Sequence, residues 1–118
     1  MDIVLEYPNP LKEGVLGQFA EEAGLTREPP PRYFKGQIFS QPADCGDIRV
    51  AIPEQRNKIV ISTSYMLAHI RSFQLLILAR IAARMGENPK LTFSQEFAHM
   101  DLEHFFPEGK RVKNQIQM

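Results

Sequence analysis

Tryptophan is absent and cysteine occurs once, at Cys45. A lone thiol closes no internal disulfide, so the fold must be held by its core. Asp44 and Asp47 sit beside Cys45 and disfavour a thiolate, which leaves it as an unreactive loop or core thiol. Net charge is also missing: 14 Lys/Arg balance 14 Asp/Glu. Bulk charge therefore singles out neither nucleic acid nor an anionic surface as a partner. Long apolar runs are lacking too. A membrane-spanning helix needs about 20 apolar residues. In the most apolar stretch the unbroken run is Leu75–Ala79, and His69, Arg71, Gln74, Arg80 and Arg84 interrupt the rest. A membrane span is excluded. Absent as well are a G-x-S-x-G elbow, an H-E-x-x-H pair, a C-x-x-C pair and a phosphate-cradling glycine loop. No catalytic residue and no cofactor is assigned on that basis. The first residues carry no basic-then-apolar leader pattern, and the expectation is a cytoplasmic protein in a reducing compartment.

What is present is an ordinary globular composition. Of 118 residues, 43% are hydrophobic and 24% charged, which fits one domain over residues 1–118 with a core of its own. Charge is uneven along the chain: residues 58–90 hold five Lys/Arg against one Asp/Glu.

The stretch Ser62–Gly86 is apolar at nearly every helical angle. Met66, Ile70, Phe73, Ile77 and Ile81 form one stripe, and Leu67, Leu75, Leu78, Ala82 and Met85 a roughly opposite one. Ser62 or Ser64 offers an N-cap, Gly86 a left-handed stop and Pro89 a breaker. The pattern predicts a long central helix, about residues 62–86, buried on more than one face.

Before it, Ile3–Tyr7 alternates as a strand. Leu11, Val15, Phe19 and Ala23 predict a helix over 11–23 that ends at Gly24. Phe19–Thr26 resembles the helix and turn of helix-turn-helix DNA-binding proteins. Pro29–Pro31 stand where the recognition helix would begin, so the resemblance stops there. Gly14–Gly17 matches the G-x-x-G loop of KH domains, but apolar Val15 and Leu16 fill a place where a phosphate clamp gains from polar groups. Glu28–Arg32 reads as a stiff connector. Tyr33–Phe39, Ile48–Ile52 and Lys58–Ile61 predict further strands, the last buried on both faces. After Pro89, Thr92 and Gln95 suggest a capping box, with Ser94 as a rival cap, and a helix to about Phe106, with Phe93, Phe97, Met100 and His104 as its apolar stripe. The tail from Lys110 reads as an edge strand or a loose end. Together these predict an α+β fold: a small, mostly antiparallel sheet packed on one long central helix, with two shorter helices.

Three constellations bear on function. His69, Arg80 and Arg84 share one side of the central helix and could grip an anion with their cationic groups. Glu96, His99 and Glu103 fall at i, i+3 and i+7 of the last helix. Glu-x-x-His is the spacing that lets one helix supply a carboxylate and an imidazole to one metal. Leu67, Leu75, Leu78 and Ala82 form an apolar face in surplus of what a thin sheet covers, which points to an interface. The expectation is a small non-enzymatic adaptor or accessory domain that binds another protein or itself, as a homodimer through the central helix. Two alternatives stand beside it. One is a nucleic-acid-binding or regulatory protein using residues 58–90 and the tail. The other is a small anion- or metal-binding enzyme.

Overall fold

A computed structural model describes residues 1–41, 47–63 and 68–118, and the side chains of all of these except 68–71. Cys45 and Leu67 lie outside the described residues. The elements run β1 (Asp2–Glu6), α1 (Glu13–Glu22), β2 (Thr26–Glu28), β3 (Gly36–Gln41), β4 (Ile48–Pro53), β5 (Lys58–Thr63), α2 (Ala68–Ala83), β6 (Lys90–Phe93), a 3-10 turn (Gln95–Phe97), α3 (Leu102–Phe105), β7 (Lys110–Val112) and β8 (Gln115–Gln117).

The organising element is a sheet, not a helix. Eight strands lie in the order β2-β3-β4-β5-β1-β6-β8-β7, and every pairing is antiparallel. The expected small sheet around one long helix over 62–86 is thereby corrected. Ser62 and Thr63 end β5, opposite Asp2 and Ile48. The β-branched run from Ile59 to Ile61 carries the extended conformation on into Thr63, itself β-branched. The helix that follows covers Ala68–Ala83, about 24 Å at 1.5 Å per residue. Gly86 is not in a left-handed conformation. It is glycine for lack of room: a Cβ there would come within 2.7 Å of both Tyr7 Cδ1 and Leu11 Cδ2.

The first strand occupies the middle of the sheet, between β5 and β6, and so joins the β2–β5 meander to the C-terminal strands. Its inward residues Ile3 and Leu5 are fully buried. Row by row, Phe39, Val50, Ile61, Ile3 and Phe93 stand opposite one another on the same face. These side chains, with those of α1 and α2, form one core. On α2 the inward side is Leu75, Leu76, Leu78, Ala79, Ala82 and Ala83.

Helix α1 ends as expected at Gly24. The Leu25 N–H reaches the Ala20 carbonyl at 2.8 Å and the Gly24 N–H reaches the Glu21 carbonyl at 3.2 Å, with Gly24 at φ 66°. This is the paired closure that glycine makes inexpensive at a helix end.

The helix expected over about 92–106 is not formed, which is a second correction. Leu91 and Phe93 both point into the core from β6, a strand alternation read as helix. Ser94 does not cap. Its hydroxyl accepts the Asp2 N–H at 2.9 Å, and its own N–H donates to the Asp2 carbonyl at 3.0 Å. Bound to β1, the chain can resume only as short turns. Phe97 and Phe106 close on Phe93 with ring centroids 5.7 and 5.8 Å away. The tail forms a hairpin of β7 and β8 around Lys113 and Asn114. Arg111 ties that hairpin to the preceding turns, donating to the Met100 carbonyl at 3.0 Å and the Ala98 carbonyl at 3.1 Å.

Tyr7 links β1 to the far end of α2. Its hydroxyl donates to the Ala82 carbonyl, which also accepts the Met85 N–H at 3.0 Å at the end of α2. Burial pushes the phenol well above its ordinary value near 10. Tyr7→Phe is expected to lower stability by about 0.5–1.5 kcal/mol, the net worth of one hydrogen bond, since the Met85 N–H still donates to the Ala82 carbonyl. Alkali supplies a second check. Above pH 10 the unfolded phenol ionises while the folded one stays protonated. The unfolded state then binds fewer protons, and stability falls as pH rises. Urea titrations at pH 8 and 10.5 should show a shallower alkaline loss in Tyr7→Phe than in the wild type.

Candidate functional site

The anion residues separate. Arg80 and Arg84 do meet, lining a cavity of about 100 Å³ with Phe105, Phe106, Glu108 and Met118. Both arginines are exposed, and Glu108 brings an acid into the same cavity. His69 starts eleven residues earlier in α2, about 16 Å along the axis at 1.5 Å per residue, and its side chain is among those not described.

The metal residues do not converge. Without a helix through 92–106 the i, i+3, i+7 stripe does not exist. Glu96 stands in the 3-10 turn, 3.8 Å from the Met1 amine. Its own backbone N–H, then the Ser94 hydroxyl, hold its carboxyl below the usual range. Glu103 belongs to α3 and pairs with Arg111 at 3.2 Å. Its carboxyl is likewise held low, first by its own backbone N–H. Among the described residues no three His, Cys, Asp or Glu side chains gather as a metal site.

The interface residues lie inside. Leu75, Leu78 and Ala82 are 0%, 2% and 0% exposed within the single chain. The stripe left outward on α2 is the other one, with Phe73 60% and Ile77 40% exposed. Phe73 leans edge-on against Phe105, ring centroids 5.4 Å apart. Two-sided apolarity was legible in the residues. Which side met the sheet was not, because both stripes are equally greasy.

A different surface emerges from the sheet. The helices and their core residues occupy one face. On the other, a single row crosses all eight strands: Glu28, Ile38, Ala51, Val60, Val4, Thr92, Gln115 and Val112, each opposite the next. The five central members, Ile38 to Thr92, are half-buried by their own neighbours. Four of them are aliphatic. Val112, at 69% exposed, closes the row at the β7 edge. Charged rows flank it. On one side Arg49, Ser62 and Asp2 stand opposite one another, and on the other Lys58, Glu6 and Lys90. Ser40 at the β3 end of this face is buried, its hydroxyl donating to Glu28 at 2.6 Å. Among the described residues, Arg49, Lys58, Glu6 and Lys90 make no ion pair.

The edges of the sheet are poor docking sites by comparison. Strands β2 and β7 have three residues each. Pro29–Pro31 follow the first, and Lys110 and Arg111 charge the second. Short, proline-flanked and charged edges discourage strand addition. The cations of residues 58–90 whose side chains are described also divide. Lys58 and Lys90 belong to the uncovered sheet face, Arg80 and Arg84 to α2 on the opposite side. They do not form one continuous basic patch.

The signal for the uncovered row was present in the sequence. Ile3-Val4-Leu5 and Ile59-Val60-Ile61 are apolar at both strand parities, where a one-sided sheet needs only alternate residues. No protein-family model, curated protein or solved structure matches the chain.

Proposed function

We propose that the protein is a non-catalytic protein-interaction domain that docks its partner on the uncovered face of the sheet. The observation that carries this reading is the aliphatic row through Ile38, Ala51, Val60 and Val4 at the centre of a face that no helix covers among the described residues. Solvated faces of antiparallel sheets normally alternate to polar residues, and a row of half-exposed aliphatic side chains in their place suits an interaction site. Among the described residues no three His, Cys, Asp or Glu side chains gather as a metal site, and the row from Ile38 to Thr92 holds no titratable side chain. Relative to the expected helix interface, the docking surface moves to the opposite side of the molecule.

Crosslinking mass spectrometry on purified protein and its identified partners tests this. Crosslinks should map to β4, β5 and β1. The double variant Val4→Lys/Val60→Lys should lose them while keeping a wild-type circular dichroism spectrum, since a lysine on a half-exposed row can carry its charge to solvent. Ile77→Lys on α2 should keep them. Partner crosslinks that survive in the Val4/Val60 variant and vanish in Ile77→Lys would move the site to α2.

A further inference from the structure

The charge pattern on the uncovered face selects the partner. We infer that it is a second copy of this chain, packed sheet on sheet about a two-fold axis that runs parallel to the strands above the β5–β1 boundary. The inference rests on the interaction reading above and names its partner.

The derivation uses register alone. Lys58, Val60 and Ser62 of β5 stand opposite Glu6, Val4 and Asp2 of β1. A two-fold along the strands exchanges β5 with β1 and keeps the height along the strand. Val60 then lies over the partner's Val4, and Val4 over the partner's Val60. Lys58 lies over the partner's Glu6, and the symmetry repeats this contact. Ser62 lies over the partner's Asp2, with Arg49 one strand away on β4. Both acids of β1 are thus carried onto the cationic β4–β5 half, four times per dimer. The other two-fold that keeps the strands aligned runs across them. It would set Asp2 over the partner's Glu6, acid on acid, without counter-charges directly between. Like charges facing each other at an interface reject that arrangement. Sheets that pack face to face keep their strands within about 30°, so the central contacts survive the twist.

The size is adequate for a specific but modest dimer. Seven inter-strand gaps of about 4.8 Å and strands of about 17 Å give a face of roughly 570 Å² per copy, in keeping with the 35 × 34 × 25 Å extents of the molecule. Standard interfaces bury about 800 Å² per partner. The dimer should therefore be concentration-dependent, and it should weaken with salt because its specificity is ionic.

Sedimentation equilibrium of the full chain at low salt tests it with two charge reversals. Glu6→Lys sets a second cation against the partner's Lys58, and Lys58→Glu places two acids together. Each variant alone should bind itself at least about tenfold more weakly than wild type binds itself, since two contacts per dimer reverse sign. Mixing the two variants should restore the dimer. In the mixed pair, Lys58 of one chain meets Glu6 of the other, and the two substituted positions also meet as opposite charges. Charge effects within one chain cannot produce this, because mixing leaves each chain unchanged. Wild-type protein that stays monomeric at 13.5 kDa throughout the concentration range overturns the second copy as partner and leaves the interaction reading to its own crosslinking test. A wild-type dimer that both variants retain overturns the assigned two-fold and its charge register, and the interaction reading again stands or falls by its own crosslinking test.

Discussion

Gly36→Ala should lower stability by about 3–5 kcal/mol and leave much of the chain unfolded at 37 °C. Gly36 opens β3 at φ 149°, a conformation that side-chain-bearing residues rarely adopt. Holding a non-glycine residue there costs about 1–3 kcal/mol. The room is missing as well. A Cβ would collide with the Ile52 carbonyl oxygen and come within 2.9 Å of Pro53 Cα. Both are backbone atoms of the paired strand β4, so no rotamer change relieves the contact. Overpacking of this kind adds about 1–3 kcal/mol. The two terms together approach the whole margin of a small domain, typically about 5–15 kcal/mol. Urea denaturation followed by circular dichroism should show the midpoint falling at nearly unchanged slope. A midpoint within error of wild type would mean that the β3–β4 ladder shifts freely, and that the register of Gln37 with Ile52 is not fixed. Gly14→Ala is the internal control: nothing lies within 4 Å of its Cβ position and it sits inside α1, so alanine there should stabilise by a few tenths to about 1 kcal/mol.

Gly36 also shows what could be read before the structure and what could not. A glycine within the expected strand Tyr33–Phe39 marks a bulge or bend, whereas the close approach to the backbone of Ile52 and Pro53 on β4 appears only in the fold. The strands at Ile3–Tyr7, Ile48–Ile52 and Lys58–Ile61 and the helix ending at Gly24 follow from local alternation and turn chemistry, which act within a few residues. The readings that failed depended on distant partners. Leu91–Phe93 has strand alternation, but only the edge of β1 makes it a strand, and β1 lies at the other end of the sequence. Ser94 looks like a helix cap until Asp2 is beside it. The tail's Val112, Ile116 and Met118 are too sparse to announce a hairpin, yet β6 supplies an edge for Gln115–Gln117 to pair with. The candidate site suffered most, because it depends on which side of α2 meets the sheet and on a face assembled from eight separate strands. Tertiary pairing overrides local propensity most readily in short apolar segments such as these.

Leu75→Glu and Ile77→Glu, two residues apart on α2, should part company completely. Leu75 is 0% exposed, on the side of the helix that meets β5 and β1. Truncating such a leucine to alanine already costs about 2–5 kcal/mol through lost transfer and the cavity left behind. A carboxylate adds the cost of desolvating a charge, or of taking up a proton to avoid it. Among the described residues no cationic side chain is buried to receive it. Leu75→Glu should therefore fail to fold, with exposed apolar surface and lost near-ultraviolet dichroism. Ile77 is 40% exposed, and its carboxylate would stay hydrated, one turn from Arg80 and Ile81. Glutamate is also the better helix former of the two, and Ile77→Glu should sit within about 1 kcal/mol of wild type. The pair separates the two stripes that the residue pattern alone leaves equivalent. If Leu75→Glu were a well-folded monomer, α2 would expose its leucine face and the interface would return to the helix. If it unfolds while Ile77→Glu folds and still self-associates, the helix serves the core on one side and solvent on the other. Association then belongs to the far face of the sheet, where Val4 and Val60 stand.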